Sequence, residues 1–192
     1  MNSVNPTLII SLVAAMGLFV YLKLSNPYQQ YSTEAFWKSA TIADVYEIPA
    51  AALHVNNKNG PVIMWAASVT NDPKIISALI SRGADVNERD IDFHGTALSA
   101  ASYQNTNPQI IDELVKQGAE VNIVLGRLKK SPLLLAAEKN TPAVTERLLF
   151  HGANAEYRDA NERTAYIQAL KSKNKDVIAV YEKIQNKNNN TK

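Results

Sequence analysis

Apolar residues recur at helical spacing along the C-terminal two thirds of the chain. In each complete group, apolar residues follow the first one at distances of one, four and five positions, so they form one stripe on an α-helix. The groups are Ile75, Ile76, Leu79 and Ile80; Ile110, Ile111, Leu114 and Val115; and the shorter Val144, Leu148 and Leu149. The pattern predicts three amphipathic helices, each with one buried face.

Each predicted helix has a start signal and a stop signal. A polar residue and a proline precede the stripe, at Asp72-Pro73, Asn107-Pro108 and Thr141-Pro142. The polar side chain can cap the helix, and proline suits the first helical position because no backbone N–H is needed there. A glycine follows each stripe, at positions 83, 118 and 152. Glycine accepts the positive φ angle that commonly ends a helix.

A shorter block of small and apolar residues precedes each of these helices, and a fourth block follows the last one. The blocks occupy residues 61–67, 96–102, 131–137 and 164–170, and they begin 35, 35 and 33 residues apart. This period is too long for a heptad or a strand alternation and is typical of a stacked repeat. Each unit is predicted to contain a helix, a turn, a second helix, a glycine stop and an extended connection.

The repeated unit resembles the ankyrin repeat. Residues 131–137 (SPLLLAA) match the family signature T-P-L-H-x-A best, and residues 83–87 (GADVN) match its usual helix exit. The signature histidine, which braces a β-turn in the family, is replaced in the four blocks by Met64, Ser99, Leu134 and Ile167. The resemblance implies an all-α ankyrin-repeat solenoid with short hairpin fingers, preceded by one N-terminal hydrophobic helix.

The resemblance covers residues 33–185 and gives their division into units. A capping unit is expected at 33–60, repeats at 61–95, 96–130 and 131–163, and a C-terminal capping unit at 164–185. Terminal units are expected to be atypical because one of their faces meets water. Residues 186–192 have little to bury, and we predict a disordered tail there.

A continuous apolar run precedes the repeats. Residues 7–22 carry no formal charge, and at about 1.5 Å per residue they reach roughly 24 Å, enough to cross most of a bilayer core. We predict a transmembrane or signal-anchor helix at 1–24 and a polar linker at 25–32. A cleaved signal peptide is an alternative, although no small-x-small site follows the run, and a buried helix is another. Lys23 alone favours a cytoplasmic C-terminal domain.

Composition and motifs exclude several kinds of function. The net charge of +2 does not indicate a nucleic acid partner, and the absence of cysteine excludes disulfides and cysteine nucleophiles. No Gly-x-Ser-x-Gly, phosphate-loop or His-Glu-x-x-His motif is present. The segment from Asp90 to Gly95 begins like a calcium loop, but Ala101 replaces its closing glutamate. We expect no catalytic, cofactor or metal site, no small-molecule substrate and no enzyme activity.

One connection between repeats departs from the polar composition of the others. Residues 123–130 combine four aliphatic and three cationic side chains, whereas the matching segments 88–95 and 157–163 are polar. In the ankyrin family, hairpin tips and first-helix faces line the concave side that holds partners. The combination suits an anionic, partly apolar protein, unless the segment folds onto its own neighbours. The candidate partner-binding residues are Ile123, Val124, Leu125, Arg127, Leu128, Lys129, Lys130, Tyr103, Phe93, Glu138 and Ser68.

The combined features predict a membrane-tethered protein-binding module. A small bacterial ankyrin protein with an N-terminal export or anchor segment resembles immunity proteins that neutralise secreted toxic effectors, often lipases. This resemblance implies an inner-membrane protein with one transmembrane helix and a periplasmic ankyrin domain, against the orientation that Lys23 favours. A scaffold or adaptor that holds a cell-envelope or host complex at the membrane is the alternative.

Overall fold

The structure is a computed structural model, and it describes residues 28–53, 60–91 and 94–189. Contacts divide the chain into two units, Met1–Gln30 and Tyr31–Lys192. The predicted anchor at 1–24 lies outside the described residues, as do residues 25–27 of the predicted linker at 25–32. Among the described helices, none is both long enough and apolar enough to cross a membrane.

The unit Tyr31–Lys192 is a stack of paired helices in two layers. Its helices are α1 (Glu34–Ser39), α2 (Ile42–Glu47), α3 (Ala50–Leu53), α4 (Val62–Val69), α5 (Pro73–Ser81), α6 (Ala97–Gln104), α7 (Pro108–Lys116), α8 (Pro132–Lys139), α9 (Pro142–Phe150), α10 (Ala165–Lys171) and α11 (Lys175–Asn189). Helices α1, α4, α6, α8 and α10 pack in sequence as an inner layer, and α2, α5, α7, α9 and α11 pack in sequence as an outer layer. The predicted all-α class is confirmed for the described residues, where β pairing is limited to an isolated bridge between Leu125 and Lys130.

The predicted polar caps start the outer helices. The carboxylate of Asp72 accepts a hydrogen bond from the backbone N–H of Lys74 at 3.0 Å, and Asn107 accepts one from Gln109 at 3.0 Å. Proline then occupies the first turn of α5, α7 and α9. Because caps and prolines act on their own helix, the sequence located these three starts correctly.

The predicted glycine stops end the same helices. Gly118 has φ +93°, and the following Ala119 N–H donates to the carbonyl oxygen of Leu114 at 3.0 Å, which satisfies a C-terminal acceptor. A Cβ at Gly118 would meet no atom within 4 Å. The backbone angle, rather than a lack of space, therefore requires glycine at this position.

The core lies between the two layers and between successive repeats. Fully buried alanines on the inner helices (Ala66, Ala101 and Ala136) recur every 35 residues and allow neighbouring inner helices to approach closely. Fully buried aliphatic residues on the outer helices fill the space between the layers; they include Ile76, Ile111 and Leu148. The predicted apolar stripes are thus the buried faces of α5, α7 and α9.

The ends of the unit differ from the predicted boundaries. Tyr31 and Ser32 are buried, and the Trp37 indole N–H donates to the carbonyl oxygen of Tyr31 at 2.7 Å, so the folded unit includes the end of the predicted linker. The short helix α3 was not predicted. At the other end, α11 continues to Asn189, so the segment predicted as a disordered tail from residue 186 begins as helix.

Candidate protein-interaction surface

The three connections between repeats form fingers that are closed by the same backbone contact. The backbone N–H of Asp90 donates to the carbonyl oxygen of Gly95 at 2.9 Å, and that of Asp159 donates to Arg163 at 3.0 Å. In the middle finger, residues 125–130, Leu125 makes the equivalent bond to Lys130 at 2.9 Å. Leu125 therefore occupies the position that aspartate holds in the first and third fingers.

The aspartates at this position are buried and hold their fingers through side-chain hydrogen bonds. The carboxylate of Asp90 accepts the backbone N–H of Gly95, and that of Asp159 accepts the backbone N–H of Arg163 at 3.0 Å. Leu125 has no such acceptor, but Lys130 N–H donates back to the Leu125 carbonyl oxygen at 3.1 Å. A reciprocal backbone pair thus closes the middle finger, and an aliphatic side chain fills the buried site.

Two of the predicted contact residues are consequently inside the fold. Leu125 is 7% exposed and Ile123 is 4% exposed, so both side chains are buried within the fold. Their assignment to an exposed apolar surface is corrected: for these two, the alternative that the segment folds onto its own neighbours holds. The sequence contained the signal, since alignment of Leu125 with Asp90 and Asp159 reveals a shared, special position.

The rest of the middle finger remains exposed. Val124 and Leu128 are 40% and 49% exposed, and the side chains of Arg127 and Lys129 are also exposed. Within the described residues, neither of these two cations makes an ion pair. We name this surface, formed by residues 124 and 127–129, the finger patch.

The next repeat fixes the backbone of the finger patch. The Tyr157 hydroxyl donates to the carbonyl oxygen of Lys129 at 2.8 Å, and the Ala160 N–H donates to that of Leu128 at 3.0 Å. Lys129 adopts φ +51°, which aligned residues in the other two fingers also adopt. The patch is therefore held in one backbone conformation before any partner arrives.

Inner-helix residues beside the finger supply further polar groups. Lys130 forms an ion pair with the half-buried Glu138, so only two of the three predicted cations are free for a partner. Tyr103 is half-buried, and the ammonium of the exposed Lys139 lies 4.9 Å from the centre of its ring. Sequence reasoning missed Lys139, although it follows Glu138 directly on α8.

Two other candidates do not contribute to the described surface. Ser68 is buried, and its hydroxyl donates to the carbonyl oxygen of Trp65 at 2.8 Å. Its assignment as a contact residue is corrected, because the hydroxyl satisfies its own helix and is shielded from solvent. Phe93 lies outside the described residues, so its place in the surface stays a prediction.

A separate polar cluster links the outer helices. Asp112 on α7 accepts hydrogen bonds from the Arg147 guanidinium and from His151 Nε2, both at 2.7 Å. Partial burial acts to raise the pKa of Asp112, but the bonds from His151 and Arg147 outweigh it and lower that pKa below its ordinary value. His151 is the C-cap residue of α9. The cluster joins two repeats.

No group of three or more histidine or carboxylate side chains suited to a metal ion occurs in the described part of the chain. Asp90, the first residue of the segment that begins like a calcium loop, instead accepts the N–H of Gly95 within its own finger.

Comparison with known proteins agrees with this architecture. The family model described as "Ankyrin repeats (3 copies)" matches residues 98–191, and the model "Ankyrin repeat" matches residues 61–91. No curated protein matches the chain significantly. Ankyrin repeats are protein–protein interaction modules that are typically non-enzymatic. The two matches together cover about two thirds of the chain, which belongs to the ankyrin-repeat family and contains a protein–protein interaction module.

Proposed function

We propose that the finger patch binds an acidic, partly apolar surface of a protein partner. The observation that carries this proposal is that Arg127 and Lys129 are exposed and unpaired within the described residues while Val124 and Leu128 are exposed beside them. Cations in such a patch attract an acidic partner, and the aliphatic side chains are available to lose water on contact.

The neighbouring finger supports this choice of surface because its two arginines already have partners within the finger. Arg163 pairs with Asp159 at 3.0 Å, and the Arg158 guanidinium donates to the carbonyl oxygen of Glu162 at 2.9 Å. The middle finger also needs little ordering on binding, since Tyr157 and Ala160 hold its backbone. A preorganised contact loses less entropy than a flexible loop when a partner binds.

The experiment is capture of the partner by full-length variants in mild detergent. Reversal of both cations, Arg127→Glu with Lys129→Glu, is expected to reduce capture about 100-fold at low salt, chiefly through slower association. Lys74→Glu, at an exposed position on α5, is the matched control and should leave capture unchanged. Equal capture by the double variant and the control would show that the partner binds elsewhere.

We further propose that the module acts at the bacterial inner membrane, tethered by residues 1–24, with the ankyrin domain in the periplasm. The uncharged run at 7–22 supports the tether. Alkaline phosphatase fused after Lys192 should be active in intact cells. An inactive fusion, with an active cytoplasmic reporter at the same position, would place the domain in the cytoplasm.

The biological role that we propose is neutralisation of a secreted toxic effector, such as a lipase. This proposal is supported by the resemblance to immunity proteins that combine an export or anchor segment with a protein-binding domain. The product of the neighbouring gene should co-purify with the full chain, and loss of the chain should harm only cells exposed to that product. Harm without exposure to any effector would favour the scaffold or adaptor role instead.

A further inference from the structure

An apolar groove lies between the outer helices α9 and α11. Leu149 and Phe150 contribute from α9, and Val180 and Ile184 contribute from α11. Glu146 on α9 and Lys183 on α11 also line the groove. The groove therefore has one acidic wall and one basic wall around an apolar floor.

Phe150 is the unusual residue of this surface. It is 73% exposed, and the aligned residues of the two preceding repeats, Ser81 and Lys116, are exposed as well but polar. A large aromatic ring therefore occupies a position that is exposed to solvent in each of these repeats. Exposed aromatic residues beside apolar grooves are typical anchors of protein interfaces.

The ring of Phe150 is held in place by its neighbours. The Arg147 guanidinium lies 4.6 Å from the ring centre, and the His151 ring meets it edge to face with centroids 5.2 Å apart. Arg147 and His151 are themselves fixed by Asp112 on the preceding outer helix. The ring is accordingly a preorganised projection rather than a freely rotating side chain.

The charges of the groove have no partner within the described residues. Neither Glu146 nor Lys183 makes an ion pair there, although the two residues line the same groove. A two-fold axis through this surface can set the Glu146 of each copy against the Lys183 of the other. It can also direct each Phe150 ring into the other groove, because projection and groove lie side by side.

We propose that this surface binds a second copy of the chain. A two-fold contact joins the same surface on both molecules, so that surface must contain both members of each complementary pair. This one does: an acid with a base, and a projecting ring with an apolar groove. The contact is separate from the finger patch, and dimerisation through it does not depend on the proposed effector.

Disulfide trapping tests the contact directly, because the chain contains no cysteine. Full-length Glu146→Cys and Lys183→Cys variants, carrying different tags, are mixed in mild detergent and oxidised. The control mixture combines Lys116→Cys with Lys183→Cys; Lys116 is the residue of the preceding repeat that aligns with Phe150. We expect about tenfold more mixed-tag dimer from the first mixture than from the control. Equal yields from the two mixtures would overturn the proposal.

A second measurement separates this groove from contacts made elsewhere in the chain. Native mass spectrometry of the full chain should show about tenfold less dimer for Phe150→Ser and for Lys183→Glu. Glu146→Lys combined with Lys183→Glu should restore the dimer, since the exchange recreates both ion pairs. A chain that stays monomeric while Phe150→Ser weakens binding of another protein would assign the groove to that protein and overturn the proposal.

Discussion

Three asparagines, two of them buried and one half-buried, join the ends of successive inner helices. The Asn105 side-chain amide donates to the carbonyl oxygens of Ala67 and Thr70 at 2.9 and 2.8 Å. Both acceptors belong to the preceding repeat. Asn140 repeats the arrangement with Ala101, Ser102 and Asn105 at 3.2, 2.8 and 3.1 Å, and Asn174 continues it by donating to Asn140 at 2.9 Å. Each asparagine thus satisfies helix-terminal carbonyl groups of the preceding repeat.

Replacement of Asn140 by alanine should weaken the whole unit. The buried carbonyl oxygens of Ser102 and Asn105 lose a donor, and we expect the free energy of unfolding to fall by about 2–4 kcal/mol. Urea unfolding followed by circular dichroism measures the change. Gln104→Ala, at an exposed position one residue before Asn105, is the control and should change stability by less than about 0.5 kcal/mol. A similar loss in both variants would contradict a specific role for the asparagine.

Asp159 is a buried carboxylate whose ionised form is stabilised by four donors. It accepts the backbone N–H groups of Asn161 and Arg163 at 2.8 and 3.0 Å and pairs with the Arg163 guanidinium. Burial acts to raise the pKa of Asp159, but the bonds from Arg163 and Asn161 outweigh it and lower that pKa below its ordinary value. The folded protein therefore favours the charged carboxylate.

Asp159→Asn should lower stability at neutral pH and have a smaller effect in acid. Because the folded pKa is lowered, the stabilisation is fully present above the ordinary aspartate pKa, about 4, and is lost as pH falls through the folded pKa. Removal of the charge also leaves Arg163 without its partner, so we expect a loss of about 2–3 kcal/mol at pH 7. The free energy of unfolding of the wild type and of Asp159→Asn should be measured between pH 7 and pH 2. The difference between the two values should become smaller below about pH 4. Glu156→Gln, an exposed control, should show little difference at any pH, and a constant Asp159 effect would contradict the charge argument.

At the scale of elements, local signals in the sequence predicted the outer helices α5, α7 and α9 but not the fingers. The outer helices begin at capped prolines and end at glycines, and each signal acts within a few residues. The burial of Leu125 depends instead on the neighbouring repeats, where Asp90 and Asp159 occupy the aligned, buried position. Composition of residues 123–130 alone could not separate the buried Ile123 and Leu125 from the exposed Val124 and Leu128.

The contact between adjacent fingers should control the mobility of the finger patch. Tyr157→Phe removes the hydroxyl that donates to Lys129, while the Ala160 bond to Leu128 remains. We expect amide hydrogen exchange at Leu125 and Lys130 to accelerate about fivefold, equivalent to about 1 kcal/mol for one hydrogen bond. Global stability should change by less than about 1 kcal/mol.

Tyr103→Phe is the matched control for this change. It removes a tyrosine hydroxyl from the inner helix α6, and no hydrogen bond of that hydroxyl is found within the described residues. Exchange at Leu125 and Lys130 should stay at the wild-type rate in the control. Unchanged exchange in Tyr157→Phe would mean that the middle finger is rigid without its neighbour, and that its reciprocal backbone pair is sufficient.

At the scale of the whole helical unit, the main packing contacts of each described helix pair are with its neighbours along the stack. Within the described residues no further helix pair packs on the last one, and this explains two exposed residues. Ile167 and Leu170 are 39% and 47% exposed, whereas the aligned Leu134 and Ala137 are buried under the next inner helix. The repeat period predicted this linear architecture, but the ends, where α11 extends to Asn189, follow no repeat.

Linear packing implies that substitutions that destabilise the C-terminal helices should destabilise distant repeats less than adjacent ones. Val177 and Tyr181 are the buried residues by which α11 packs on α9 and α10, so Val177→Ala with Tyr181→Ala should loosen that contact by about 3–5 kcal/mol. In a stack coupled through nearest neighbours, hydrogen exchange should rise most in α9, α10 and α11, less in α8, and least in α4 and α5. Mass spectrometry of exchanged peptides measures this gradient, with the exposed Glu182→Ala as control. A uniform rise along the stack would show instead that all the repeats unfold as one cooperative unit.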